Sequence, residues 1–139
     1  MKVMCDTNII LDILLDQEPF AETSAEILRL CEAGKIEGYT TASCITDIFY
    51  IVRKHLHSAE RGYDAVEKLL DILKVCDVND YHVREALRLR KPDFEDSLVA
   101  VCAQSVSCEY IVTRDIKGFA GMDIPFLSPE KLLQIVEGQ

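Results

Sequence analysis

Lys2-Val3-Met4-Cys5-Asp6-Thr7-Asn8 decides how the rest of the chain is read, because three apolar residues run straight into an acid and a turn. Lys2 to Cys5 reads as a short buried strand, and Thr7-Asn8 opens an apolar helical run from Ile9 to Leu15. Asp6 then sits at a strand-to-helix junction. The same grammar recurs at Tyr110-Ile111-Val112, where a second apolar strand ends in Thr113-Arg114-Asp115. Ligands of open α/β sheets bind beyond the carboxyl ends of strands, so Asp6 and Asp115 are expected to share one edge.

Outward from these strands, Pro19 suits the first turn of a helix that Gly34 ends. Glu37 to Thr40 reads as a strand, Ser43 as the cap of a helix to about Leu56, and Ser58 as the cap of another to Leu73. A short strand follows at Val75 to Val78. Asn79 caps the next helix, Pro92 marks a break, and a largely apolar helix runs from about Phe94 to Ser107. Ile124 to Leu127 holds a Pro and therefore reads as an edge strand, and Ser128-Pro129-Glu130 opens the last helix. Short apolar strands alternating with amphipathic helices imply an α/β fold. The expected architecture is three layers, a central parallel sheet of four to five strands flanked by helices on both faces.

The 139 residues fit one domain, expected over 1–139, that buries roughly 68% of its unfolded surface. No apolar run is long enough to span a bilayer, and no signal-peptide core precedes Asp6, so no membrane role and a cytoplasmic location are expected. The six cysteines contain no C-x-x-C pair and lie mostly in apolar stretches, which reads as reduced core thiols rather than a zinc or disulfide frame. His55, His57 and His82 are given no catalytic role. A net charge of −9 opposes non-specific nucleic-acid binding, so any such partner needs local compensation. The candidates are Arg53-Lys54, Arg84/Arg88/Arg90-Lys91, and Arg114 with Lys117, each of which is also read as an ordinary solvated face.

The chemistry rests on four carboxylates. Asp47 interrupts the apolar helix Cys44 to Val52, where a lone charge is costly without a cation or a partner such as Arg53 or Lys54. Asp93-Phe94-Glu95-Asp96 opens the apolar helix; Asp96 shares a stripe with Ala100 and Ala103, whereas Glu95 falls on another face. Asp93 reaches the same place if the helix starts early. Gathered together, Asp6, Asp47, Asp96 and Asp115 repel one another unless a cation is bound. All-oxygen ligation favours Mg²⁺ or Mn²⁺, and phosphodiester hydrolysis is the reaction such a site suits.

Four blocks in order, Cys5 to Asp12, Ser43 to Tyr50, Asp93 to Ala103 and Thr113 to Phe119, resemble the PIN-domain family. The resemblance is strongest to its VapC-like toxin ribonucleases of bacterial toxin–antitoxin pairs. It implies a PIN-like nuclease domain: a metal-dependent endoribonuclease acting on RNA, usually a homodimer, often silenced by a cognate antitoxin protein. By position Asp6, Asp47, Asp96 and Asp115 match the family's acidic quartet, and Asn8 and Thr113 match polar neighbours that position acids or phosphate. Arg114 and Lys117 are substrate-contact candidates. Two departures stand out. Asp47 occupies a place where the family commonly has Glu, and Gly118 one where an acid or His is frequent. They leave as alternative a catalytically weakened PIN domain that serves as an RNA- or protein-binding module. A receiver or aspartyl-phosphate phosphatase also puts acids at strand ends, but Asp6-Thr7-Asn8 lacks the second acid of such phosphatases.

Overall fold

In the computed structural model, which describes residues 1–138, the opening strand β1 (Lys2–Cys5) sits at the centre of the molecule. Gln139, the last residue of the expected domain, lies outside the described residues. Val3, Met4 and Cys5 are all fully buried. A strand whose consecutive residues are all shielded is covered on both faces, as parallel sheets require. Two helices follow, α1 (Thr7–Leu14) and α2 (Ala21–Glu32), and return the chain to β2 (Glu37–Thr41) beside β1. A second pair, α3 (Ala42–Leu56) and α4 (Ala59–Ile72), leads to β3 (Lys74–Cys76) at the sheet edge.

The chain then reverses its direction of travel across the sheet. Helices α5 (Asp80–Leu89) and α6 (Phe94–Ser105) carry it back to β4 (Tyr110–Val112) on the other side of β1. Helix α7 (Ile116–Phe119), strand β5 (Phe126–Leu127) and helix α8 (Pro129–Glu137) complete the described chain. The sheet order is β3-β2-β1-β4-β5, every pair parallel. The gap between β1 and β4 is therefore the switch point, where the crossovers diverge and leave a crevice above the strand ends.

Helix α6 is unusual for a flanking helix because eight consecutive residues, Asp96 to Ala103, are buried. It lies over β1, β2 and β4 and is covered from outside by α5, so its middle, Asp96 to Ala103, has no solvent face. Small side chains at Ala100 and Ala103 permit that close approach. The consequence for function is positional: the first turn of α6, which carries Asp93, Glu95 and Asp96, is fixed over the switch point.

Most expected boundaries hold to within a residue or two, and the exceptions have local causes. Thr41, not Ser43, caps α3: its hydroxyl accepts from the Cys44 amide at 3.1 Å, while Ser43 bonds the Thr41 hydroxyl at 3.0 Å. Pro19 lies in the turn before α2, which starts at Ala21. The short α7, which starts just after Asp115, is not among the expected helices.

Arg114 is engaged inside the fold. Its Nε and Nη2 donate to the two Asp12 carboxylate oxygens at 2.7 Å each, and Asp12 is completely buried. Ser24 donates to the same carboxylate at 3.1 Å, and the guanidinium stacks 4.0 Å from the Phe20 ring centre. One ion pair thus fastens α1, the start of α2 and the segment after β4. Nε and Nη2, one edge of the guanidinium, are committed to this pair. Arg114→Met leaves Asp12 buried without its cation and is expected to cost about 3–5 kcal/mol in urea denaturation, whereas the double change with Asp12→Leu recovers most of that loss.

Candidate metal centre

Asp6 leaves β1 and caps α1, and its two oxygens serve different masters. Oδ1 accepts from the Thr7 amide at 2.8 Å. Oδ2 accepts from the Thr113 hydroxyl at 2.8 Å and from Asn8 Nδ2 at 3.2 Å. Thr113, fully buried just past β4, also accepts from the Asp115 amide at 2.9 Å and from Asn8 at 3.3 Å. Asn8 in turn accepts from the Arg114 amide at 3.3 Å. Thr113 and Asn8, both expected as auxiliary polar residues, thus clasp the ends of β1 and β4 together.

Asp93 caps α6 by accepting from the Asp96 amide at 3.0 Å, and Asp115 caps α7 by accepting from the Gly118 amide at 3.0 Å. Each cap places a carboxylate at a helix N-terminus, where the macrodipole favours negative charge. Asp96 itself is buried, and its Oδ2 has no hydrogen-bond partner. An unpaired buried carboxylate oxygen costs free energy unless protonated or bound to a cation. Burial, then the charges of Asp6, Asp93 and Asp115, push the Asp96 carboxyl up to about 7. Burial likewise raises Asp6, although hydrogen bonds from Thr113 and Thr7 pull it back.

Asp47 is half-buried on α3 and lies against Glu95. Glu95 is pushed up to about 7, first by desolvation and then by the Asp47 contact. The sequence reading set Glu95 on a different face from Asp96 and gave it no role. The two neighbours do face apart, but the outer one turns toward α3, and the short side chain at Asp47 is the signal that room exists there.

The donor set fits a hard divalent ion. Asp6, Asp96 and Asp115 supply oxygen only, the orphaned Asp96 Oδ2 lacks any other partner, and the charges of all three act on one another. Gly118 makes the cluster possible. A Cβ built there would overlap Asp96 Oδ2 and Asp115 Oδ2, so the glycine leaves the space in which the two carboxylates approach. Lys117 is exposed beside this cluster, whereas Arg84 and Arg88 pair with Asp80 and Glu85 on the outer face of α5.

Two outcomes follow from this geometry. Gly118→Ala should weaken Mn²⁺ binding by at least about tenfold in calorimetric titration while the far-ultraviolet dichroism stays unchanged. Carboxyls raised in the folded state hold protons that the unfolded chain has already released between roughly pH 4 and pH 7. With divalent ions chelated, the melting temperature should therefore fall as pH rises through that window. Asp96→Asn should flatten the dependence in the same calorimetric scans.

Comparison with known proteins agrees with this layout. A family model described as PIN domain matches residues 2–117. Ribonuclease VapC1 of Aquifex aeolicus (strain VF5) is 26% identical over 138 residues, spanning 96% of this chain and 94% of that protein. Among solved structures, a toxin-antitoxin complex from Klebsiella pneumoniae aligns with a TM-score of 0.68 at 21% identity, over 91% of this chain and 97% of the other. The Mycobacterium tuberculosis toxin VapC20, described as cleaving the sarcin-ricin loop, aligns with a TM-score of 0.70 at 12% identity, over 86% of this chain and 95% of that one. At such identities the structural matches speak for the fold, and the match over residues 2–117 places the chain in the PIN domain family.

Proposed function

We propose that this chain is a metal-dependent endoribonuclease, acting as one nuclease unit over residues 1–139, and that Asp6, Asp96 and Asp115 hold Mg²⁺ or Mn²⁺. The observation that carries the reading is the buried, partnerless Oδ2 of Asp96 at the β1/β4 switch point, with Asp6 and Asp115 close enough to raise its carboxyl. A divalent ion bound there would polarise a phosphodiester oxygen and make a bound water more acidic.

The chain's own groups have separable duties in this scheme. Thr113 and Asn8 orient Asp6, fixing which oxygen remains for the ion. Asp93 holds the first turn of α6 and so the height of Asp96 above the sheet. Asp47 reaches the cluster through Glu95, whose carboxyl, pushed up to about 7, retains a proton near neutral pH within reach of the acids. Lys117 stands exposed at the rim as the cation placed to meet a phosphate.

Support for RNA as substrate comes from Ribonuclease VapC1 and from the sarcin-ricin-loop-cleaving VapC20. The Klebsiella pneumoniae complex supports an antitoxin protein as a partner, and a homodimer is the assembly we propose for the free toxin. Among the described residues no helix is long and apolar enough to cross a membrane. We place the activity in the cytoplasm, where RNA is available.

The decisive experiment incubates purified chain with a structured RNA and Mg²⁺ or Mn²⁺. Cleavage should require the ion and stop on chelation. Asp6→Asn and Asp96→Asn should each lower the rate by at least about 100-fold, since loss of a group that merely supports a ligand already costs up to that much. Cutting that persists in the double variant, or in chelator, overturns the assignment.

A further inference from the structure

Away from the acidic cluster, Cys76 at the end of β3, His82 on α5 and Cys102 on α6 converge under the edge of the sheet. The two Sγ atoms and a ring nitrogen of His82 all lie within 4.8 Å of one another, and all three residues are buried. They come from three separate elements, so nothing in the sequence spacing marks them. Ser105, one turn beyond Cys102, completes the group: its Oγ is 3.2 Å from His82 Nε2 and 3.9 Å from Cys76 Sγ. Unlike the other three, Ser105 is exposed and opens the group to solvent.

We propose that Cys76, His82 and Cys102 form a thiolate–imidazole site for Zn²⁺, with the fourth position facing Ser105. Zinc–sulfur bonds of about 2.3 Å and zinc–nitrogen bonds of about 2.0 Å set separations of roughly 3.3–3.8 Å between tetrahedral ligands. The Ser105–His82 and Ser105–Cys76 distances already stand close to that range. Two sulfurs and one nitrogen select a thiophilic ion, whereas the all-oxygen cluster selects a hard one. The two sites therefore do not compete for the same metal. The Cys76–Cys102 pair is otherwise poorly provided for: each thiol is buried, and Cys76 Sγ makes long bonds, to the Asp77 and Cys102 carbonyls at 3.4 and 3.7 Å and to Ser105 Oγ at 3.9 Å.

Binding has a defined proton balance. Each thiol releases its proton to solvent as its sulfur bonds zinc. His82 now accepts at Nδ1 from the Asn79 amide at 3.1 Å, so Nε2 carries the ring proton and faces Ser105. Ligation at Nε2 moves that proton to Nδ1 and releases the Asn79 amide to water. Helix α5 keeps its other cap, the Asn79 side chain accepting from the Tyr81 amide at 3.0 Å. The ion would lock β3, a three-residue edge strand, to the two helices that return the chain across the sheet.

The test uses the whole chain with one equivalent of Co²⁺ as a spectroscopic substitute for Zn²⁺. A thiolate-to-cobalt charge-transfer band should appear in wild type and in the Asp6→Asn/Asp96→Asn variant alike, and Zn²⁺ should bleach it. Cys76→Ala and Cys102→Ala, with folding verified by dichroism, should each weaken binding by at least about 100-fold. Zn²⁺ should also raise the melting temperature by linkage and speed hydrogen exchange at the Asn79 amide. That last readout requires no variant. Absence of the band in wild type, its survival in either cysteine variant, or an Asn79 amide unchanged at saturating Zn²⁺ overturns the site and leaves the nuclease reading untouched.

Discussion

One buried hydroxyl ties the functional end of this molecule together. Thr113 donates to Asp6 and accepts from both the Asp115 amide and Asn8, so its hydrogen-bonding capacity is fully used inside the protein. Because it bridges the ends of β1 and β4, it fixes the separation of the two strands that flank the switch point. Replacing the hydroxyl by a methyl group would leave an amide and a carboxylate oxygen short of partners in a buried place, a larger penalty than one lost bond suggests. The acids are held by this connection first and by their own helices second.

The cluster also resolves a conflict between folding and charge. Asp6, Asp93 and Asp115 each cap a helix, so three macrodipoles point their positive ends at the same volume. Each cap uses one oxygen for its helix, and at Asp115 the second oxygen is the one that faces Asp96 across Gly118. Asp96 receives no such relief, and its carboxyl is pushed up to about 7. The fold thus tolerates its acids unequally, and the unrelieved one marks where a cation has the most to offer.

What could be read in the sequence was what depends on near neighbours. Strand ends at Cys5 and Val112, caps at Ser58, Asn79 and Ser128, and the break at Pro92 follow from residues within one turn of each other, and the structure has them as expected. Contacts across the chain were less visible. Arg114 looked like a free cation because Asp12 lies 102 residues away. His82 looked solitary, yet its ring returns the Asn79 cap and meets Ser105 23 residues later. Glu95 was set aside by helical phase alone, which says where a side chain points but not which element waits there. Ser43 lost the α3 cap to Thr41 by two residues, a competition between neighbouring hydroxyls that propensity does not decide.

The bond between Thr113 and Asp6 spans 107 residues and has a meaning for how the protein is made. During synthesis the first strand leaves the ribosome long before its partner β4 and the acid at Asp115. Until then Asp6 lacks the Thr113 clasp, and α6 lacks one of the three strands it lies across. A polypeptide interrupted just before Thr113 carries β1 to β4 and six helices but none of the assembled cluster. Whatever the cluster does to its substrate, it does only once β4 and Thr113 have been made.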